Sequence, residues 1–193
     1  MPYSLDDKLV IGISSRALFD LREADEVYLR DGLAAYRDYQ RAREGIALSP
    51  GTGFGLVKAL LNINQVATKR LVEVILMSRN DAGSSVRIFD SCALQDVDMT
   101  RGALTGGADP WPHLEPFHAS LFLSAEATDV VSALGRGFPA ALVLSPPAIS
   151  GVEDNSGVVR IAFDGDAVLF DDEAERIFQS GDVAAFVEHE VAH

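Results

Sequence analysis

The stretch GVVRIAFDGDAVLF, Gly157–Phe170, places Asp164 and Asp166 at alternate positions behind an apolar run. An aspartate at the C-terminal end of a strand can attack phosphorus and carry an aspartyl-phosphate. A second acid two residues on has alternation on its side if the strand continues. After a glycine turn it can also swing back to protonate a leaving oxygen. Magnesium would be needed to quiet the repulsion between carboxylates and phosphate. Taken alone, the motif is explained equally well as a DGD turn between two strands.

Two further patterns invite chemistry. In PGTGFG, Pro50–Gly55, alternate glycines precede an apolar helical pattern, where backbone N–H groups can meet a phosphate. The spacing satisfies neither GxxxxGK[ST] nor GxGxxG, because Leu56 holds the last position counted from Gly51. A glycine-rich start to a helix is the favoured reading. HEVAH, at 189–193, satisfies HExxH, which on a helix puts His189 and His193 on one face beside Glu190. His193 is the last residue of the chain, where helices fray, so a solvated helix end is favoured over a zinc site.

These residues depend on an alternation of strands and helices. KLVIGIS (Lys8–Ser14) is a β-branched apolar run suited to a strand buried on both faces. Glu23–Glu44 reads as a helix with a possible break at Gly32. Ser49 can cap and Pro50 can open a helix whose apolar face holds Leu56, Val57, Leu60, Leu61 and Ile63. Leu71–Asn80 reads as a strand, Ser84–Asp96 as a helix, Ala119–Glu126 as a strand leading into a helix, and Ala140–Pro146 as a strand. Pro147–Gly157 has the composition of a linker. The pattern predicts an α/β fold, a doubly wound, mostly parallel sheet covered on both faces. Ligands in such sheets gather beyond the C-terminal strand ends. That singles out Ser14-Ser15-Arg16, Ser78-Arg79-Asn80, Ser124 and Asp164-Gly165-Asp166.

The composition is that of a soluble globular chain: 193 residues, 48% hydrophobic and 23% charged. A net charge of −13 argues against nucleic acid or an anionic membrane as a main partner. Cys92 is the only cysteine, so no internal disulfide can form, and a cytoplasmic location is expected. The N-terminus lacks the pattern of a signal peptide, and no apolar run reaches the roughly 20 residues of a membrane span.

FDGDAVLFDDEAERIF resembles the nucleophile motif of the cytosolic 5′-nucleotidase type I family, within the haloacid-dehalogenase-like phosphatases. ISSRALFDL, SPGTGFGLVKALLNIN, VEVILMSRN, TGGADPWPHLEPFHASLFLSA and FVEHEVAH resemble other segments of that family in the same order, and the last takes in the HExxH. The resemblance implies magnesium-dependent hydrolysis of nucleoside 5′-monophosphates, typically AMP. It makes Asp164 the nucleophile and a metal ligand. Asp166 becomes the general acid/base, with its carbonyl on the metal.

The chain also echoes itself. VIGISSRALF parallels VRIAFDGDAVLF, with Ser14 standing where Asp164 stands and Arg16 where Asp166 stands. The superfamily further calls for a Ser or Thr, a Lys and a pair of acids. Ser78 could be the first; GGADPWPHL lacks the lysine, and Ser124-Ala125 stands where the acids would be. Residues 1–150 therefore read as a degenerate phosphatase-like domain, with Ser14, Ser78 and Ser124 expected to converge. Arg16, Lys58, Ser78 and Arg79 are its candidate phosphate-binding residues. Residues 151–193 read as a linker and the opening strand and helix of a catalytic domain. Its later lysine and carboxylates would come from a longer chain, from another chain, or from borrowed Ser78, Arg79 or Lys58; truncation is favoured. Such a unit leaves a strand edge and apolar helix faces open, so a homo-oligomer is expected.

Overall fold

The computed structural model describes residues 4–144, together with Ala162 and Arg176. The chain divides into two compact units, Met1–Val158 and Val159–His193. In the second unit Arg176 is helical, Ala162 lies outside regular structure, and both are exposed.

The first unit is built on a five-stranded sheet in the order β3-β2-β1-β4-β5. Its strands are β1 (Leu9–Ser14), β2 (Val72–Ser78), β3 (Arg101–Leu104), β4 (Leu121–Ser124) and β5 (Ala140–Leu142). All neighbouring pairs are parallel. The helices are α1 (Ser15–Leu18), α2 (Arg22–Arg41), α3 (Phe54–Val66), α4 (Ala82–Leu94) and α5 (Ala127–Leu134). The expected doubly wound α/β sheet is therefore present. Right-handed crossovers put α2, α3 and α4 on one face of the sheet and α5 on the other.

The strand interiors obey the alternation. Val10, Ile75, Met77, Ala103 and Phe122 form one face, packed with Leu114 and with Ala133 of α5. Gly12 lies on that face, where an added Cβ would meet the side chains of Met77 and Leu114 at 3.1 and 3.2 Å. Ile13 points the other way, toward Gly53 before α3. All of β2 is buried, including Glu73 near its start. Glu73 is ion-paired to Arg70 at 2.7 Å and Arg101 at 2.5 Å, which is how a carboxylate is kept inside a sheet.

One expected break is present, and three features depart from the sequence reading. Gly32 does break α2, with φ 82° and ψ −175°, a region open essentially to glycine alone. The helix expected to start at Ser49 instead starts at Phe54, after Gly53, with no side-chain cap. Pro50 forms an antiparallel bridge with Phe19. Ile63, assigned to the apolar face, is exposed, whereas Val57, Leu60 and Leu61 are buried. Strand β3 and the 3-10 turn Trp111–His113 had no sequence signal, since RGAL is short and carries a charge.

Candidate functional site: a cleft at the strand ends

Chain progress from β1 to β2 to β3 runs one way across the sheet, and from β4 to β5 it runs the other way. The order reverses between β1 and β4, and the C-terminal ends of these strands make the crevice where α/β sheets bind ligands. A cleft of about 570 Å³ opens there. Its lining includes Ser14, Ser15, Arg16, Ser78, Arg79 and Asn80 from the strand ends, and Tyr28 and Tyr36 from α2.

Ser14, Ser78 and Ser124 are buried and end the neighbouring strands β1, β2 and β4. Ser14 stands opposite Met77, so Ser78 lies one step further along, against Ser15, and the cleft lining holds Ser14, Ser15 and Ser78 but not Ser124. Ser14 Oγ accepts from the Ala17 amide at 3.3 Å, capping α1, and from the Ala125 amide at 3.2 Å, across the switch point. Ser78 Oγ donates to Ser15 Oγ at 3.3 Å and accepts from the Asn80 amide at 3.1 Å. Ser124 Oγ accepts from the Glu126 amide at 3.1 Å. Each hydroxyl thus takes up backbone N–H groups left over where a strand turns away. No carboxylate or imidazole among the described residues accepts a proton from Ser14, so its oxygen is not set up as a nucleophile.

The charged rim is paired throughout. Arg16 holds Asp25 at 3.0 Å and also Glu126. Arg79 holds Asp109 at 2.7 Å and the buried Asp129. Arg37 holds Asp81 through Nε at 2.6 Å. Burial pushes the Asp25 carboxyl above the usual carboxylate range, outweighing the pull of Arg16. Burial opposes the Arg79 charge, yet hydrogen bonds to Asp129 and Asp109 hold its pKa above the ordinary value. Asp81 accepts from the Ser84 amide at 2.9 Å as the N-cap of α4. That bond and Arg37 hold its carboxyl below the usual range.

A hydrogen-bond chain runs from a buried guanidinium through neutral groups to the cleft wall at Tyr36 and Asn80. Arg87 donates to Gln40 Oε1 at 3.1 Å, Gln40 donates to the Tyr36 hydroxyl at 3.1 Å, and Tyr36 donates to Asn80 Oδ1 at 3.3 Å. Burial raises the Tyr36 pKa, so the phenol stays a neutral donor. The Asn80 side-chain nitrogen is buried without a partner.

The structure brings Arg16, Ser78 and Arg79 together at the cleft. It does not bring Lys58 there. Lys58 Nζ donates to the Gln95 carbonyl at 3.0 Å, at the C-terminal end of α4. Helix α4 starts beside the cleft at Asp81 and runs away from it, so its far end lies toward the N-terminal ends of the strands. Asp164 and Asp166, and His189 with His193, lie outside the described residues. The glycines of PGTGFG have a packing role. Gly51 and Gly53 donate to the carbonyls of Leu18 and Ala17 at 2.8 Å, and a Cβ on either would sit 2.9 Å from backbone atoms. Their amides are spent on α1 and are not offered to a phosphate. Asp25, Tyr28 and Tyr36 were not legible as site residues, because on α2 they look like an ordinary amphipathic surface.

Among the described residues no group of three or more His, Cys, Asp or Glu could hold a metal ion. The acids named around the cleft are each taken up by a guanidinium and do not fit magnesium. Among the described residues no helix is long and apolar enough to cross a membrane.

The chain is 31% identical over 188 residues to human cytosolic 5′-nucleotidase 1B, covering 94% of this chain. It spans only 30% of that relative's length. No solved structure matches the chain. The model of the 5′-nucleotidase family matches residues 1–193. On that match, the chain belongs to the 5′-nucleotidase family.

Proposed function

We propose that the chain carries the nucleophile-bearing part of a 5′-nucleotidase that hydrolyses nucleoside 5′-monophosphates such as AMP. The observation that supports it is the family match over residues 1–193, which takes in Asp164-Gly165-Asp166. In this reading Asp164 attacks phosphorus while the bond to the 5′ oxygen breaks, and Asp166 gives that oxygen its proton. Water then attacks the aspartyl-phosphate, Asp166 takes its proton back, and inorganic phosphate leaves. Magnesium would be held by Asp164 and the carbonyl of Asp166 and would supply the charge neutralisation that lets a dianion approach the Asp164 carboxylate. The enzyme would work in the cytoplasm, as the relative's name states for that protein. Self-association is proposed on exposed Val131, Leu134, Leu142 and Leu144, apolar residues at the β5 edge and on α5. Light scattering of the purified chain tests it, and a monomer at all concentrations would sink it.

The deciding assay is phosphate release from AMP with magnesium, comparing the chain, and any longer form of it, with their Asp164→Asn variants. Activity lost in Asp164→Asn supports the reading. Inertness of both the chain and any longer form on every nucleoside monophosphate overturns it.

A second reading has its own observation. The described cleft has a ligand-sized volume, a paired rim and no activated nucleophile. Those features favour a non-catalytic, ligand-binding or regulatory role for the first unit beside the catalytic motif. If this chain is inert while a longer form of it is active, that reading holds for the chain.

A further inference from the structure

We propose that the cleft at the ends of β1, β2 and β4 binds an uncharged heteroaromatic ligand, a nucleoside or its free base, and discriminates against the phosphorylated form. The choice of a nucleoside among uncharged ligands rests on the 5′-nucleotidase reading, because that reaction releases one.

The charge pattern excludes phosphate first. Arg16, Arg37 and Arg79 line the cleft, and each is held by carboxylates of Asp25, Glu126, Asp81 or Asp129 that line it too. A phosphate dianion could reach a guanidinium only by displacing a carboxylate already in its place, and would then face that carboxylate as a like charge. The loop amides are committed as well: Gly106 and Gly107 donate to the carbonyls of Asn80 and Arg79 at 3.2 and 2.7 Å.

What remains free is neutral. Ser14 Oγ accepts two backbone amides, and its own proton has no acceptor among the described residues. Ser15 Oγ accepts from Ser78, and its proton is likewise unclaimed. These are donors for ring nitrogens, carbonyls or sugar hydroxyls. Tyr28 and Tyr36, edge to face at 6.1 Å, give an aromatic wall, with Leu21, Leu33 and Met77 as apolar surface. Asn80 itself lines the cleft, and its amide nitrogen is desolvated and unpaired. A ligand acceptor that reaches this nitrogen gains a hydrogen bond whose desolvation cost the fold has already met. A few polar groups in an apolar cleft of this size is the usual composition of a small-molecule site.

Calorimetric titration of the 193-residue chain, in EDTA so that nothing is turned over, tests this with adenosine, AMP and inorganic phosphate. Adenosine is expected to bind at least about tenfold more tightly than AMP, a margin set by the like-charge contacts, and phosphate is expected not to bind. Tyr28→Ala, at a half-exposed position whose loss the fold tolerates, should weaken adenosine by about fivefold or more. Asp25→Asn with Glu126→Gln frees Arg16 and should move the AMP-to-adenosine preference at least about tenfold toward AMP. Tighter binding of AMP than adenosine by the unaltered chain overturns the proposal. So does absence of adenosine binding at millimolar concentration, or adenosine binding indifferent to Tyr28→Ala. If AMP is never hydrolysed but adenosine binds with these responses, the enzyme reading falls and the site stands. If AMP is hydrolysed and adenosine is not bound, the site alone falls.

Discussion

Ile13-Ser14-Ser15-Arg16 and Phe163-Asp164-Gly165-Asp166 share one sequence pattern: an apolar run, polar residues, then an alanine and an apolar close ending in phenylalanine. The residues on that frame differ in what they can do. Asp164 offers a carboxylate that can bond to phosphorus. Ser14 offers a hydroxyl whose lone pairs are spent on the amides of Ala17 and Ala125. Where the second acid would be, Arg16 is locked to Asp25 and Glu126. A strand end always leaves backbone N–H groups to be satisfied. At β1 the lone pairs of the side chain satisfy them, so the oxygen is not free to act as a nucleophile. On the proposed function, the same frame carries a nucleophile at Asp164, and the hydrogen-bond partners of the first polar residue are what set the two apart.

The sharpest way to break the comparison is to remove Asp164. Asp164→Asn in the active protein is expected to lower phosphate release from AMP by on the order of 10³-fold or more, since the proposed covalent intermediate forms on Asp164. An activity that survives would strip the second motif of its chemical role. Chelation comes next. EDTA should abolish turnover and added magnesium restore it, and turnover that ignores EDTA would remove the metal from the proposal.

On the structural side the effects are read as stability. Gly53→Ala forces a Cβ to 2.9 Å from the Ala17 carbonyl and should cost about 1–3 kcal/mol in urea unfolding. No cost would mean the loop does not dock on α1 as described. Ser14→Ala removes one acceptor serving two amides and should cost about 1 kcal/mol. A neutral result there would blur the line between the two strand ends.

The smallest effect is in the pH dependence. Asp81 has its folded pKa below the ordinary carboxylate value. Its contribution is present above the unfolded pKa and is lost as pH falls through the folded value. Asp81→Asn keeps a capping oxygen but cannot titrate, so its melting temperature should fall less steeply toward acid than that of the unaltered chain. Equal slopes would remove Asp81 from the acid transition. Asp25 has the opposite sign. Its raised pKa makes its ionisation oppose folding as pH rises through the carboxylate range.

Strong local periodicity was readable ahead of the structure. Lys8–Ser14, Leu71–Asn80 and the helix broken at Gly32 all have their counterparts, because long apolar runs and glycine breaks are local signals. The start of α3 was misread because Ser49 and Pro50 carry helix-start chemistry but are held in a bridge to Phe19, a contact thirty residues away. Lys58 was misplaced because a basic residue near a glycine motif looks like a phosphate ligand until the direction of α4 puts it toward the N-terminal ends of the strands.

Taken alone, the sequence determined the alternation of strands and helices and the family, and it nominated the Asp164–Asp166 pair, because periodicity, segment order and residue type are properties of the chain itself. Only the tertiary structure decided that Ser14, Ser15 and Ser78 line one cleft, and that Arg16, Arg37 and Arg79 are already neutralised. It also decided that Tyr28 and Tyr36 form the wall of a cleft. Those facts depend on strand order and on which acid from a distant helix meets which guanidinium. No local rule encodes either, because charge pairing across a sheet edge is settled by packing.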